Sequence, residues 1–173
     1  ATLQSGLAIQ KIGSDPLMRS EFYTLFGDIA FRQNRTEEAF AYYDKALENN
    51  PQNYGALNNY SYYLALLGKN LDKAERMSGE VIKANPDNAT YLDTYAWVYF
   101  KQGRYSLARL YLKKALDLSK EASAEMYEHY GDVLAVTGNE SEAVGWWKKA
   151  VDAGGDSEIL HRKIAEKRYI GNE

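Results

Sequence analysis

One short stretch of the sequence carries residue types that bind metal ions. His129 follows Glu128 directly and lies three residues before Asp132, so the three side chains would lie close together on a helix. An imidazole and two carboxylates could share a metal ion, but the same combination is common on the exposed, polar face of a helix. We therefore predict that these residues form such an exposed face and that the chain has no metal site.

Other motifs for chemistry are absent from the sequence. The second histidine, His161, has only Ser157 and Glu158 close to it in sequence, and the chain contains no cysteine. There is no glycine-rich loop that could hold a phosphate and no nucleophile beside a plausible base. The sequence thus predicts no catalytic residue and no cofactor, and we expect the protein not to be an enzyme.

The composition limits the classes of partner. The chain has 173 residues, of which 45% are hydrophobic and 26% charged, and its net charge is -3. Proteins that bind nucleic acids usually carry a basic excess, so a nucleic-acid partner is not expected. No apolar run approaches the roughly 18 residues that can span a bilayer, so we expect no direct membrane insertion.

The elements that carry these residues repeat with a period near 35 residues. One series of small residues is separated by 34, 35 and 35 positions: Gly27, Ser61, Ala96 and Gly131. Two further series have nearly the same period: Ala39, Ala74, Ala108 and Ala143, and Ala46, Val81, Ala115 and Ala150. Between these two series lies a large residue, with Ser78 as the exception: Tyr43, Leu112 and Trp147. Such parallel series predict a stack of similar units.

Each unit is predicted to be a hairpin of two short antiparallel helices. Small residues such as Gly27 and Ala39 would let the two backbones approach, while Tyr23, Phe26 and Tyr43 would fill the space beside them. The same turn position is occupied by Asn34, Gly68, Gly103 and Gly138. Glycine and asparagine readily adopt the left-handed conformation that ends a helix, so we expect the first helix of each hairpin to end there.

This pattern resembles the tetratricopeptide repeat. In the first repeat the matching residues are Tyr23, Phe26, Gly27, Ala30, Ala39, Tyr43, Ala46 and Pro51. In the fourth they are Tyr127, Tyr130, Gly131, Leu134, Ala143, Trp147 and Ala150. The resemblance implies an all-α fold, an α-solenoid of antiparallel helix hairpins, with four repeats over 20–53, 54–88, 89–123 and 124–155.

The two ends are predicted to be single helices. Residues 1–19 have apolar positions at helical spacing and are interpreted either as the second half of a truncated repeat or as a plain capping helix. Residues 156–173 are predicted to be a C-terminal capping helix. Its apolar stripe would comprise Ile159, Leu160, Ile164 and Tyr169, and its solvated face Arg162, Lys163, Lys167 and Arg168.

The resemblance also implies a place for function. In this family the first helices line a concave groove, in which ligands, usually peptides, lie. The corresponding positions here are Thr24, Asp28, Arg32, Asn58, Tyr62, Leu66, Asp93, Trp97, Lys101, Glu128, Asp132 and Val136. Acidic residues outnumber basic ones in this set, and Tyr62, Leu66 and Trp97 add apolar area. We therefore predict a protein or peptide partner with apolar anchors and some positive charge. Tyr62 and Trp97 could alternatively serve only to pack neighbouring first helices.

One known use of the family, the carboxylate clamp that grips the C-terminal tail of heat-shock chaperones, does not fit. In the family this clamp consists of Lys, Asn, Asn, Lys and Arg at defined groove positions. The corresponding positions here hold Thr24, Asp28, Asn59, Thr90 and Thr94. Only Asn59 matches, and no basic residue is left to meet a carboxylate. We therefore exclude the clamp.

The sequence also bears on two other functions, self-association and RNA binding, and on the cellular location. Self-association of uncovered repeats is the alternative to partner binding, and the segment at residues 1–19 motivates it. RNA binding of the pentatricopeptide kind shares the period but is disfavoured by the net charge of -3. The stretch 91–105 resembles repeats of bacterial cell-envelope tetratricopeptide proteins, so we expect a bacterial envelope location, with the cytoplasm as the alternative.

Overall fold

A computed structural model describes residues 14–171 of the chain. Over this range the secondary structure is α-helical and contains no β-strand, which confirms the all-α repeat class. The helices are α1 (Pro16–Arg32), α2 (Thr36–Asn49), α3 (Tyr54–Leu66), α4 (Leu71–Ala84), α5 (Ala89–Lys101), α6 (Tyr105–Leu118), α7 (Ala124–Val136), α8 (Glu140–Asp152) and α9 (Glu158–Glu166). We call α1, α3, α5 and α7 the first helices, and α2, α4, α6 and α8 the second helices.

The turns within the hairpins adopt the predicted backbone conformation. Asn34, Gly68, Gly103 and Gly138 have φ angles of +60°, +62°, +74° and +82°. The N–H group of the left-handed residue donates to a carbonyl oxygen in the last turn of the first helix. Gly103 N–H, for example, donates to Phe100 O at 2.9 Å. These turns reverse the chain and place each second helix beside its first.

The described residues form two compact units, unit 1 (residues 14–63) and unit 2 (residues 64–171). In unit 1, α1 packs against α2 around Tyr43, which is completely buried. A Cβ atom on Gly27 would lie 2.9 Å from the Tyr43 ring, so the glycine makes room for the tyrosine as predicted. Tyr23 and Phe26 of α1 contact Tyr42 of α2, at centroid distances of 6.2 and 5.6 Å.

In unit 2 each helix from α4 to α9 packs against the next one along the chain, with α5 also touching α7. The predicted small residues lie at these contacts and are almost wholly buried: Ala74, Val81, Ala108, Ala115, Ala143 and Ala150. Ser78, the exception in the large-residue series, is buried and satisfies its hydroxyl by donating to Ala74 O at 2.7 Å. Close approach of helices thus explains the residue series that the sequence revealed.

The ends of the described range agree with the sequence only in part. The helix predicted over residues 1–19 lies mostly outside the described residues, and α1 begins at Pro16. The last helix, α9, begins after Ser157, whose Oγ accepts a hydrogen bond from Leu160 N. Lys163, predicted on its solvated face, is only 4% exposed, so that expectation is wrong. The division into repeats at the stated boundaries stays our proposal.

Candidate protein-binding site

The first helices α5 and α7 of unit 2 each begin at a side-chain cap. Asn88 Oδ1 accepts from Tyr91 N before α5, and Ser123 Oγ accepts from Met126 N before α7. The two helices are in contact, and polar and aromatic side chains of both meet there. We call this set of side chains, of which all but Glu128 are buried, the acidic–aromatic face: Asp93, Trp97, Phe100, Glu128, His129 and Asp132.

A buried ion pair joins the two helices of this face. His129 Nδ1 lies 2.9 Å from Asp93 Oδ1, and both side chains are buried. Burial alone would lower the pKa of His129, but the attraction and hydrogen bond of the Asp93 carboxylate outweigh it and raise the pKa above its usual value. The exposed position expected for His129 is therefore wrong, because α5 covers it.

A second buried network lies around Asp132, which is 1% exposed. Its carboxylate accepts from Trp147 Nε1 at 2.9 Å and from Lys163 Nζ at 2.7 Å, and Lys163 also reaches Glu128 at 2.7 Å. Burial raises the pKa of Asp132 to about 6, although the Lys163 ammonium opposes this. The exposed position expected for Asp132 is wrong as well, since helices α8 and α9 supply its partners.

Trp97 occupies the centre of the acidic–aromatic face. Its indole stacks on Phe100 at 4.6 Å and on His129 at 3.9 Å, and Lys101 Nζ lies 5.9 Å from its ring centroid. The Trp97 side chain is thus largely buried by its neighbours on the first helices. Its Nε1–H is buried and has no hydrogen-bond partner among the described residues. The indole therefore packs the first helices and also leaves one donor unsatisfied.

In unit 1 the predicted positions are also internally bonded. Asp28, half-buried, accepts hydrogen bonds from Tyr43 Oη and from Asn59 Nδ2, the latter at 3.1 Å. Burial, reinforced by the Asp28 carboxylate, raises the pKa of Tyr43 far above its usual value. Thr24 is buried and donates to Ser20 O at 2.9 Å.

The remaining predicted positions differ in exposure. Arg32 is exposed, whereas Tyr62, Leu66, Lys101, Glu128 and Val136 are partly exposed. Asn58 is buried, and its Oδ1 has no hydrogen-bond partner among the described residues. Fewer polar side-chain atoms are thus exposed to a partner than the sequence predicts.

The two carboxylates occupy the same place in the first and last hairpins. Asp28 and Asp132 each accept from a ring group 15 residues later, Tyr43 or Trp147. Each also accepts from a side chain 31 residues later, Asn59 or Lys163. Lys163 was not predicted as a partner, although it lies 35 residues after Glu128, one repeat length, and this spacing could have identified it.

Neither a metal site nor a membrane span is found in residues 14–171. No cluster of three or more histidine, cysteine, aspartate or glutamate side chains in this range could hold a metal ion. No helix in the same range is both long and apolar enough to cross a bilayer. A separate open cavity of about 640 Å³ lies on unit 2 between α4 and the rings of Tyr95 and Tyr111.

Comparison with known proteins identifies the repeat. Three family models, each described as a tetratricopeptide repeat, match the chain. One matches residues 68–123 and 94–158, another 20–53, and the third 42–76. A TPR repeat-containing protein of the archaeon Methanocaldococcus jannaschii is 32% identical over 134 residues. That match covers 78% of this chain but only 23% of the relative, so the chain spans about a quarter of that protein's length.

Solved structures share the fold. A thermophilic TPR protein of the bacterium Thermus thermophilus superposes with a TM-score of 0.76 at 19% identity, covering 86% of this chain and 80% of that one. YrrB, a TPR protein with an unusual peptide-binding site, superposes with a TM-score of 0.61 at 22% identity, and the match covers 94% of this chain and 80% of the YrrB chain.

Proposed function

The chain belongs to the tetratricopeptide repeat family, and on this premise we propose that it binds a peptide or protein segment on the faces of its first helices. The repeat fold supports a protein–protein interaction scaffold in general, and proteins of this family are generally non-catalytic scaffolds with protein or peptide partners. The proposal assigns this chain's binding to particular side chains.

The observation that carries the proposal is the unsatisfied donor of Trp97. A buried polar group without a partner costs about 1–3 kcal/mol. Because Nε1 is buried, a bound acceptor recovers this cost only if the Trp97 side chain turns toward it. A peptide offers a carbonyl oxygen at every residue. The indole of Trp147 serves as a contrast, because Asp132 already accepts its hydrogen bond. Trp97 is therefore the indole whose environment a bound segment would change most.

The chemistry around Trp97 supports a particular kind of partner. Glu128 is partly exposed and accepts from Lys163, while Trp97 and Phe100, stacked on each other, belong to the same face. Such a combination favours a segment with an apolar or aromatic anchor, and with positive charge nearby. Asp93 and Asp132 contribute negative potential but are buried and internally paired, so charge reversal at either would disrupt folding before it could report on binding.

Nuclear magnetic resonance of the indole groups tests the proposal. The chain has three tryptophans, so its three indole ¹H–¹⁵N signals can be assigned by single substitutions. Peptides selected from a random phage-displayed library are added to the labelled protein. We expect the Trp97 indole signal to move on binding while the Trp147 signal stays, and we expect Trp97→Phe, which keeps the ring but lacks the N–H donor, to bind more weakly.

Two results would count against the site. Selected peptides that bind without moving the Trp97 signal would transfer the site to another surface, such as the cavity beside Tyr95 and Tyr111. Binding to Trp97→Phe as tight as to the wild type would remove the unsatisfied donor as the reason for binding.

A second candidate function, self-association, is favoured by the surface of α1. Six large apolar residues are 38–60% exposed on this one helix: Leu17, Met18, Phe22, Leu25, Phe26 and Ile29. Elsewhere in the described range only Leu67, Leu110 and Leu118 are large, apolar and exposed. An apolar surplus concentrated on α1 favours a contact between the α1 helices of two copies over a head-to-tail stack.

Light scattering over a range of concentrations tests this second candidate. We expect the wild type to form dimers as concentration rises and Leu25→Glu to remain monomeric. Leu110→Glu is the matched control, because Leu110 is similarly exposed but lies on α6, outside the apolar surface of α1. A wild-type chain that stays monomeric at every concentration rules self-association out.

A further inference from the structure

The chain after α9 turns back onto the acidic–aromatic face. Lys167 adopts a left-handed conformation, with φ of +52°, and ends the helix. Two residues later the ring of Tyr169 meets the ring of Phe100 edge-on, at a centroid distance of 5.3 Å. Phe100 belongs to α5, two hairpins before the C-terminal helix, so this contact joins residues that are far apart in sequence. Residues 167–171 thus cover part of the face to which we assign partner binding.

The Tyr169 ring lies in a small site of defined chemistry. Phe100 provides one wall, and Lys163 Nζ lies 5.5 Å from the Tyr169 centroid, which is within range of a cation–π interaction. The Lys163 ammonium is held in place by Glu128 and Asp132, each at 2.7 Å. A ring in the position of Tyr169 therefore has the Lys163 ammonium above it and the Phe100 ring beside it.

Among the described residues, the contacts of the Tyr169 side chain are those of its ring with Phe100 and with Lys163 Nζ. Burial raises the pKa of Tyr169 to about 12, and the Asp132 carboxylate adds to the effect. Its neighbour Arg168 points elsewhere, because its Nε donates to Glu166 at 2.9 Å. A segment attached by one aromatic ring is easily exchanged for another segment with a similar ring.

We propose that the site between Phe100 and Lys163 receives an aromatic anchor of the partner, and that Tyr169 occupies it until the partner displaces the tail. This inference rests on the proposed function, since it names the anchor and the competitor for the same face. The fixed ammonium favours electron-rich rings, so partner segments with tryptophan or tyrosine bind better than those with phenylalanine.

Competition by the tail sets the size of the effect. If Tyr169 fills the site nine-tenths of the time, the apparent affinity of any external aromatic segment falls about tenfold. Tyr169→Ala empties the site while leaving every helix intact, because Tyr169 lies beyond the end of α9. Tyr169→Phe is the matched control, since it retains a ring in the site.

The probe is the peptide Lys-Arg-Tyr-Ile-Gly, acetylated and amidated, which has the sequence of residues 167–171. It is titrated into the full-length wild type and both variants, and binding is followed by the backbone amide signals of Phe100 and Lys163. We expect the peptide to bind Tyr169→Ala about tenfold more tightly than the wild type, with Tyr169→Phe closer to the wild type. The same peptide with alanine for tyrosine should bind none of them.

Other outcomes overturn the inference. Equal affinity for the wild type and Tyr169→Ala would mean that the tail does not compete, and absence of binding to Tyr169→Ala would mean that the site does not accept an aromatic anchor. Failure of the proposed function is distinguishable: then library peptides leave the Trp97 indole signal unmoved in every variant. Peptides that move this signal equally in the wild type and Tyr169→Ala would preserve the proposed function and refute the role of the tail.

Discussion

The indole of Trp147 lies directly against the backbone of Gly131. A Cβ atom on Gly131 would stand 2.6 Å from the Trp147 ring and 3.2 Å from Ala143 O, both distances shorter than ordinary contacts. This approach lets Trp147 Nε1 reach the buried carboxylate of Asp132 on the same helix as Gly131. One glycine therefore controls both the spacing of α7 and α8 and the position of a polar network.

Replacing Gly131 with alanine should destabilise the protein. The added methyl group has no space, and overpacking of this kind costs about 1–3 kcal/mol, more than the helix propensity of alanine returns. Chemical denaturation followed by circular dichroism measures the change. Gly145→Ala is the control, because Gly145 lies in α8 with nothing within 4 Å, and it should stabilise the protein by up to about 1 kcal/mol. Equal effects of the two substitutions would contradict the role of the Gly131–Trp147 contact.

Lys163→Met should be among the most destabilising single substitutions. It leaves Asp132 buried beside Glu128 without a cation, and breaking a buried pair in this way costs about 3–5 kcal/mol. The matched substitution is Lys113→Met, because Lys113 pairs with Asp117 on the exposed surface of α6 and contributes only about 0.3–0.5 kcal/mol. Denaturant midpoints of both variants provide the comparison, and a small loss for Lys163→Met would show that the network is not needed.

The pair between His129 and Asp93 should make stability depend on pH. The folded protein raises the pKa of His129, so its contribution is complete below the ordinary histidine pKa of about 6.5 and is lost as pH rises through the higher folded value. His129→Gln should therefore lose more unfolding free energy at pH 6 than at pH 9. Urea denaturation at the two pH values checks the sign. His161→Gln, at an exposed pair with Asp156, serves as control and should change little at either pH.

The turn after α1 offers a test of backbone conformation. Asn34 has a φ of +60°, which asparagine tolerates but alanine does not. Asn34→Ala should cost about 1–2 kcal/mol, whereas Asn34→Gly should be neutral or slightly stabilising. Thermal denaturation distinguishes them, and the argument fails if alanine and glycine behave alike.

The packing of the hairpins could be predicted from the sequence because it depends on residue size at fixed spacing. Ala39, Ala74, Ala108 and Ala143 were expected at close helix contacts, and all four are fully buried. The left-handed turns at Asn34 and Gly103 followed equally directly, since few residues adopt that conformation. These features depend on backbone geometry that is the same in every repeat.

The partners of individual side chains could not be predicted in the same way. Helical spacing shows which residues share a face, but it does not show which neighbour covers that face. The sequence places Lys163 on a solvated face, but it is buried and donates to Glu128 and Asp132. His129 and Asp132 were expected on an exposed surface, but α5, α8 and α9 bury them.

The sequence by itself thus determined the family, the helix hairpins and the small residues that bring their helices together, because these follow from a repeated pattern of residue size. Only the tertiary structure decided which charges are buried, which donor is left unsatisfied at Trp97, and that Tyr169 returns to Phe100. The physical reason is that desolvation and charge pairing depend on groups about 30 or more residues apart in sequence, such as Asp132 and Lys163. Their meeting is a property of the stacked repeats and not of any one of them.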